Sequence, residues 1–224
     1  LEDWKFTNLD KIIKENFKEL NNNYLEENKL DIKKIKNFDH NSIIVINGKL
    51  KSSNFDYEDL NIKVKNSDGK SINQDDLENS LMNLNNALHD GGYYLDIPPN
   101  YKCKKPIIVY NYFTNNLKNK IINSKCELTI GDNSSIELIE YNYDISKENY
   151  IQNNFTEISI GEKSSLLNYT IQGCVSRGFY YKFIKANLNK DSNYENYIFS
   201  SGLKFNKIEE CIDINGEHAN CKIQ

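Results

Sequence analysis

Leu128-Thr129-Ile130-Gly131-Asp132 leads through Asn133-Ser134-Ser135 into Ile139-Glu140-Tyr141, and this strand-turn-strand unit returns along the chain. Ile158-Ser159-Ile160-Gly161-Glu162 runs through Lys163-Ser164-Ser165 to Tyr169-Thr170-Ile171. Ala186-Asn187-Leu188 joins Tyr197-Ile198-Phe199 in the same way, and Ile212-Asp213-Ile214 joins Ile223. With Ile130, Ile160, Leu188 and Ile214 taken as equivalent, the steps are 30, 28 and 26 residues, inside the range of solenoid repeats. Nine residues beyond each stand Ile139, Tyr169, Tyr197 and Ile223. Side chains two apart on a strand share a face, so columns such as Leu128, Ile158, Ala186 and Ile212 are expected to stack into an interior ladder. A flat antiparallel sandwich can be written from the same strands, but its connections have no reason to keep matched columns over four units. The expected fold is mainly β: a parallel β-helix over residues 91–224, preceded by a small mixed helical and strand region over residues 1–90.

Ahead of the repeats, Thr7-Asn8-Leu9-Asp10 has the form of a helix-opening cap, and Leu9, Ile12, Ile13, Phe17 and Leu20 recur on one helical face as far as Asn21-Asn22-Asn23. Ile43-Ile44-Val45-Ile46 reads as a strand that turns at Asn47-Gly48 into a hairpin partner, Lys49-Leu50-Lys51, because that dipeptide takes positive φ at low cost. Leu60, Ile62 and Val64 alternate as a further strand, closed by a turn over Asn66-Ser67-Asp68-Gly69. From Asp75, the residues Leu77, Leu81, Leu84 and Leu88 form one stripe that ends at Asp90-Gly91-Gly92, which predicts a helix. This helix is expected to cover the first end of the stack, where a bare rung would expose backbone donors and acceptors. Leu95, Ile97 and Pro106-Ile107-Ile108-Val109-Tyr110 supply that opening rung. The chain begins without methionine, and Gln224 follows Ile223 in the middle of the fourth unit. It reads as an excerpt with an open final strand.

The 28 basic and 32 acidic side chains leave a net charge of −4 with no basic stripe, which argues against nucleic acid as a partner. The short run Lys102-Cys103-Lys104-Lys105 reads as a solvated loop. No apolar run approaches the length of a membrane span, and Leu1-Glu2-Asp3 does not open a secretory leader, so a soluble cytoplasmic protein with no membrane partner is expected. Five cysteines without CxxC spacing fit neither a disulfide framework nor a zinc ribbon. Cys126 shares the inward phase of Leu128, whereas Cys211 precedes Ile212 by one and points outward three rungs away, roughly 14 Å off at about 4.8 Å per rung. That is beyond bridging distance. Buried reduced thiols are therefore the reading for Cys103, Cys126, Cys174, Cys211 and Cys221.

Catalytic patterns are missing: there is no P-loop, GxSxG, HExxH or GxGxxG. The pairs Glu137 with Glu140 and Glu209 with Glu210 fall on strands or turns and read as solvated faces. A polysaccharide-cleaving β-helix would converge acidic and basic groups on one groove. Glu217-His218 near Cys221 is the one local group with metal-capable side chains, and two ligands make a weak site. His40, His89 and His218 are too dispersed to form a cluster.

Several segments, taken in order, resemble the SufB/SufD family of iron-sulfur cluster assembly scaffolds, in its SufD branch. They are Asp3-Trp4-Lys5-Phe6-Thr7-Asn8-Leu9, Ile46-Asn47-Gly48-Lys49-Leu50, Leu84-Asn85-Asn86-Ala87-Leu88, and Gly91-Gly92-Tyr93-Tyr94-Leu95-Asp96-Ile97-Pro98 with Lys105-Pro106-Ile107. Glu137-Leu138-Ile139-Glu140-Tyr141 and Asp213-Ile214-Asn215-Gly216-Glu217-His218-Ala219-Asn220-Cys221 continue the match. The tryptophan-containing opening and the Asn-Gly hairpin are SufD-like, and Leu138-Ile139-Glu140-Tyr141 stands where SufB carries a tyrosine-leucine-glutamate-glycine-cysteine segment. A SufB-type paralogue and a carbohydrate-active or adhesive β-helix are the alternatives. The resemblance implies a β-helix core between two helical regions, the C-terminal one missing here. It also implies a non-catalytic scaffold partnered by a SufB-like subunit and a SufC-like ATPase, on which an iron-sulfur cluster forms transiently. Location would be cytoplasmic, or in a plastid-type organelle if a transit peptide precedes Leu1. The family's ATPase-docking helices and cluster-related histidine fall beyond this stretch, so no catalytic, cofactor or metal residue is assigned, His218 included.

Overall fold

In the computed structural model, the described residues are 17–19, 34–59, 62–67, 79–114, 117–144, 146, 148–173 and 178–224. In chain order they form strands β1 (Lys18–Glu19), β2 (Asn41–Ile46), β3 (Lys49–Asn54) and β4 (Lys63–Asn66), then helix α1 (Ser80–Leu88). Next come β5 (Tyr93–Ile97), β6 (Ile107–Phe113), β7 (Lys120–Ile130), β8 (Ser135–Asp144) and β9 (Tyr150–Ile160). The last five are β10 (Ser165–Gly173), β11 (Phe179–Leu188), β12 (Asn193–Ser201), β13 (Phe205–Ile214) and β14 (Asn220–Ile223). Strands alternate between two parallel stacks, one ordered β5-β7-β9-β11-β13 and the other β2-β6-β8-β10-β12-β14. The fold is a parallel β-solenoid.

The column alignment read from the sequence is the observed register. Ile130 pairs with Ile160, Ile160 with Leu188 and Leu188 with Ile214, while Leu128, Ile158, Ala186 and Ile212 form the next column. All eight positions face the interior, but Ile214, on the last strand of its stack, is 57% exposed. Ile139, Tyr169 and Tyr197 align as expected, on the outer face of their stack, where Tyr169 and Tyr197 stack with centroids 5.3 Å apart. In the fourth unit, however, Ile223 pairs with Asn196 and not with Tyr197. The corners before β8, β10 and β12 have four residues between strands, whereas residues 215–219 make a corner of five. The extra residue shifts the alignment by one and turns Ile223 inward.

Each corner that leads from the β5-to-β13 stack into the other bends at a residue in the left-handed region: Asn100 (φ 60°), Asn133 (55°), Lys163 (54°), Asp191 (55°) and His218 (60°). A serine one residue later closes most of these bends. Ser134 Oγ donates to Pro98 O at 2.8 Å and Ser164 Oγ to Gly131 O at 2.7 Å, each reaching back to the preceding rung, while Ser192 Oγ bonds Asn189 O within its own corner. The hairpin β2–β3 turns at Asn47 (φ 49°) and Gly48 (φ 83°), the two-residue turn expected for Asn-Gly. Gly92 (φ 113°) is required where the chain enters the first rung, since a Cβ there would lie 1.7 Å from Lys125 O.

The helix does not cover the end of the stack. It lies across the outer face of β7 and β9, where Asn85 Nδ2 donates to Ser124 O (3.0 Å) and Asn153 O (2.6 Å), and Asn153 Nδ2 donates to Leu81 O (2.8 Å). Its buried residues are Met82 and Asn85, and Leu88 of the expected stripe is 38% exposed. Backbone carbonyls reachable by an amide decide this docking, and apolar periodicity does not register them. The stack end is closed by β3 and β4, which run antiparallel against β2 and β5. The predicted helix over residues 9–20 lies mostly outside the described residues, but Lys18–Glu19 is a strand paired with β7 and not helix. Leu60, Leu77 and Asp68-Gly69 are also outside them.

Glu58, in the link from β3 to β4, ties this closure to the first corner. Its carboxylate accepts from Asn41 Nδ2 (2.8 Å), Tyr101 OH (2.9 Å), and the backbone N–H groups of Lys104 and Lys105 (3.0 Å each). Burial alone would raise its pKa, but these donors outweigh burial and hold it below the usual carboxylate range. A depressed folded-state pKa stabilises above the unfolded value, and the gain fades as pH falls through the folded one. Glu58→Gln should therefore lower stability at neutral pH by about 2 kcal/mol, with the gap to wild type narrowing in urea titrations below about pH 4. Ile160→Ala should cost about 2–5 kcal/mol, and Ile214→Ala well under half of that, because only the first leaves a closed cavity.

Candidate functional site

Inside the coil the character of the side chains changes along each strand. Near the corners the inward residues are apolar, and Leu95, Ile97, Leu128, Ile130, Ile136, Leu138, Ile158 and Ile160 belong to one core. Farther from the corners the same inward phase carries Ser124, Cys126, Glu140, Asn154, Thr156, Asn168, Thr170, Gln172, Lys182, Asn196 and Glu210. Register fixes their neighbours: Cys126 aligns with Thr156, Ile184 and Glu210, while Ser124 aligns with Asn154 and Lys182. On the facing stack Glu140 aligns with Thr170, and Asn168 with Asn196.

Lys182, 1% exposed, places Nζ 2.6 Å from both carboxylate oxygens of Glu140. Burial by itself would lower the pKa of this ammonium, and the Glu140 carboxylate more than reverses that, so Lys182 is held above its ordinary value and stays charged. Asn168 Nδ2 donates to Asn196 Oδ1 at 2.9 Å and lies 3.5 Å from Glu140 Oε1, and Asn196 Nδ2 donates to Glu210 Oε1 at 2.8 Å. A polar line thus crosses β8, β10, β12 and β13. Burial raises the pKa of Glu210, with Asn196 and Lys182 opposing it in part. Burial also pushes the Cys126 thiol up to about 12. In this geometry Cys126 is a protonated thiol, not a nucleophilic thiolate, and the matched Glu140–Lys182 pair has no free base to offer.

The reading of the carboxylates as solvated faces is corrected here. Glu137 and Glu209 do face outward, Glu209 alongside Tyr181, Asn79 and Lys207, but Glu140 and Glu210 point inside. Strand alternation carries the signal that finds them: Glu140 follows Leu138 by two and Glu210 precedes Ile212 by two, both in the inward phase. His218 and Cys221 are not brought together, since His218 is an exposed corner residue and Cys221 packs against the core. Among the described residues no group of three or more His, Cys, Asp or Glu is placed to hold a metal ion. Cys103, Cys126, Cys211 and Cys221 are free, with Cys126 inward and Cys211 exposed, and Cys174 lies outside the described residues. In the loop Lys102–Lys105, Lys104 and Lys105 reach the acidic Asp59 and Asp39. No helix among the described residues is long and apolar enough to cross a membrane.

Removing one member of the interior ion pair strands the other charge. Lys182→Met is expected to cost about 3–5 kcal/mol, and adding Glu140→Gln should restore part of it, as read from urea unfolding of both variants.

A comparison with curated proteins finds no match. The family model for SUF system FeS cluster assembly, SufBD core domain, matches residues 112–224. That span begins within β6 and takes in every later strand of both stacks, which are the rungs that build the polar interior. The chain belongs to the SufBD core family of the SUF iron-sulfur cluster assembly system.

Proposed function

We propose that this protein is a non-catalytic scaffold subunit of a SUF-type iron-sulfur cluster assembly complex, of the SufD type, working with a SufB-like paralogue and a SufC-like ATPase. The observation that carries this reading is the family match over residues 112–224, lying on a solenoid in whose interior Glu140 and Lys182 are paired and Cys126 is a protonated thiol. A platform of that kind contributes surface and rigidity, and nucleotide chemistry comes from its partner. Strand edges give a physical route for joining two such coils, through backbone hydrogen bonds and continued side-chain columns. The cluster is cargo built on the complex and is not a resident cofactor of this chain.

The SufD assignment over SufB is supported by Trp4 in the opening segment, by the Asn47-Gly48 hairpin, and by the run Leu138-Ile139-Glu140-Tyr141, whose Glu140 serves Lys182 inside the coil. Cytoplasmic action, or action in a plastid-type organelle, accords with that role. Co-expression of the full-length gene product with its genomic neighbours tests the proposal. It should co-purify with an ATPase and a paralogous solenoid, and recovery of the subunit alone under those conditions would rule the role out. Exchanging residues 138–141 for the SufB-type segment should leave ATPase binding intact if the assignment within the family is right.

A further inference from the structure

Among the described residues, several inward side chains of the coil have hydrogen-bonding atoms that no protein group meets, Tyr194 OH and Glu210 Oε2 among them. Thr170 Oγ1, Gln172 Nε2, Asn168 Oδ1 and Gln152 Oε1 have no partner, and each residue is at most 1% exposed. Other atoms of the same groups are engaged: Gln172 Oε1 accepts from Ser200, Asn168 Nδ2 serves Asn196, and Gln152 Nε2 serves Tyr150. Native interiors leave few buried polar atoms unmet, and their usual partner away from secondary structure is bound water.

A second observation points the same way. Polar groups that include Cys126, Glu140, Lys182 and Asn154, together with the apolar Val45 and the rings of Tyr93 and Phe113, line a cavity of about 20 Å³, and about 10–15 Å³ is enough to hold one water when polar partners are at hand. Register connects the two places. Thr170 aligns with Glu140 of the cavity wall, Gln172 follows Thr170 on the same face, and Gln152 precedes Asn154 of the cavity wall by two residues. Thr170 thus lies one rung beyond the cavity along the coil axis, while Gln172 and Gln152 lie farther from it along their own strands.

We propose that the polar half of the interior is a site for bound water: a short file that starts beside Cys126, Glu140 and Lys182, steps one rung along the coil axis to Thr170 and follows β10 to Gln172. The file hydrates an ion pair and a thiol inside the coil, and it completes the hydrogen bonding of Thr170 and Gln172. The inference is independent of the assembly role.

Two measurements test it. A high-resolution crystal structure of the chain should show ordered density within hydrogen-bond distance of Thr170 Oγ1 and Gln172 Nε2, and bare atoms at both would overturn it. Thr170→Val, nearly isosteric and equally suited to a strand, reads the same question in solution. If the hydroxyl holds a water, valine lowers the urea midpoint; if the hydroxyl sits dry and unmet, valine leaves the midpoint unchanged or raises it, which would also overturn the proposal.

Discussion

Vertical register is the constraint on which everything else in this molecule depends. Each inward side chain lies about 4.8 Å from its counterpart on the next rung, so the chemistry of a position is set by the column it joins. Where Ile130, Ile160 and Leu188 stack, the column is apolar and close-packed. Asn168 over Asn196 makes a column held by side-chain amides instead. Several polar residues inside find their partner on the next rung or on the facing stack. Lys182 and Glu140 meet across the coil, from strands on opposite walls.

The corners maintain this register. A left-handed residue followed by serine recurs at the corners of Asn133, Lys163 and Asp191, and the serines of the corners at Ser134 and Ser164 bind carbonyls of the rung before. The five-residue corner before β14 shows how sensitive the arrangement is, since one added residue moves Ile223 from the level of Tyr197 to that of Asn196. Lysine at the left-handed position of the corner between β9 and β10 is tolerated with φ of 54°, although asparagine or glycine would adopt it more readily.

How much of this could be read in advance differs from element to element. The repeat spacing, the Asn47-Gly48 hairpin and the alternation of Leu128, Ile130, Ile158 and Ile160 fixed the solenoid, because burial on one face writes itself directly into a period of two. The helix was found but wrongly placed. Its docking rests on Asn85 and Asn153, and an amide that serves backbone carbonyls looks like any surface asparagine in sequence. Glu140 and Glu210 were taken for solvated groups because acidic side chains are rarely buried, although their phase relative to Leu138 and Ile212 already placed them inside. Lys182, which makes Glu140 affordable there, lies 42 residues away. Pairing across the coil depends on the diameter of the interior, and no local spacing reveals it.

The closing hairpin strands also give the molecule a direction. Both β3 and β4 are short, run against their neighbours, and carry lysine at Lys49, Lys51, Lys63 and Lys65. Short, lysine-bearing edges discourage another chain from adding on. A particle built by edge-to-edge addition grows into a fibre only when both of its ends accept a neighbour. With one end of the coil sealed in this way, any union through strand edges must stop at a pair.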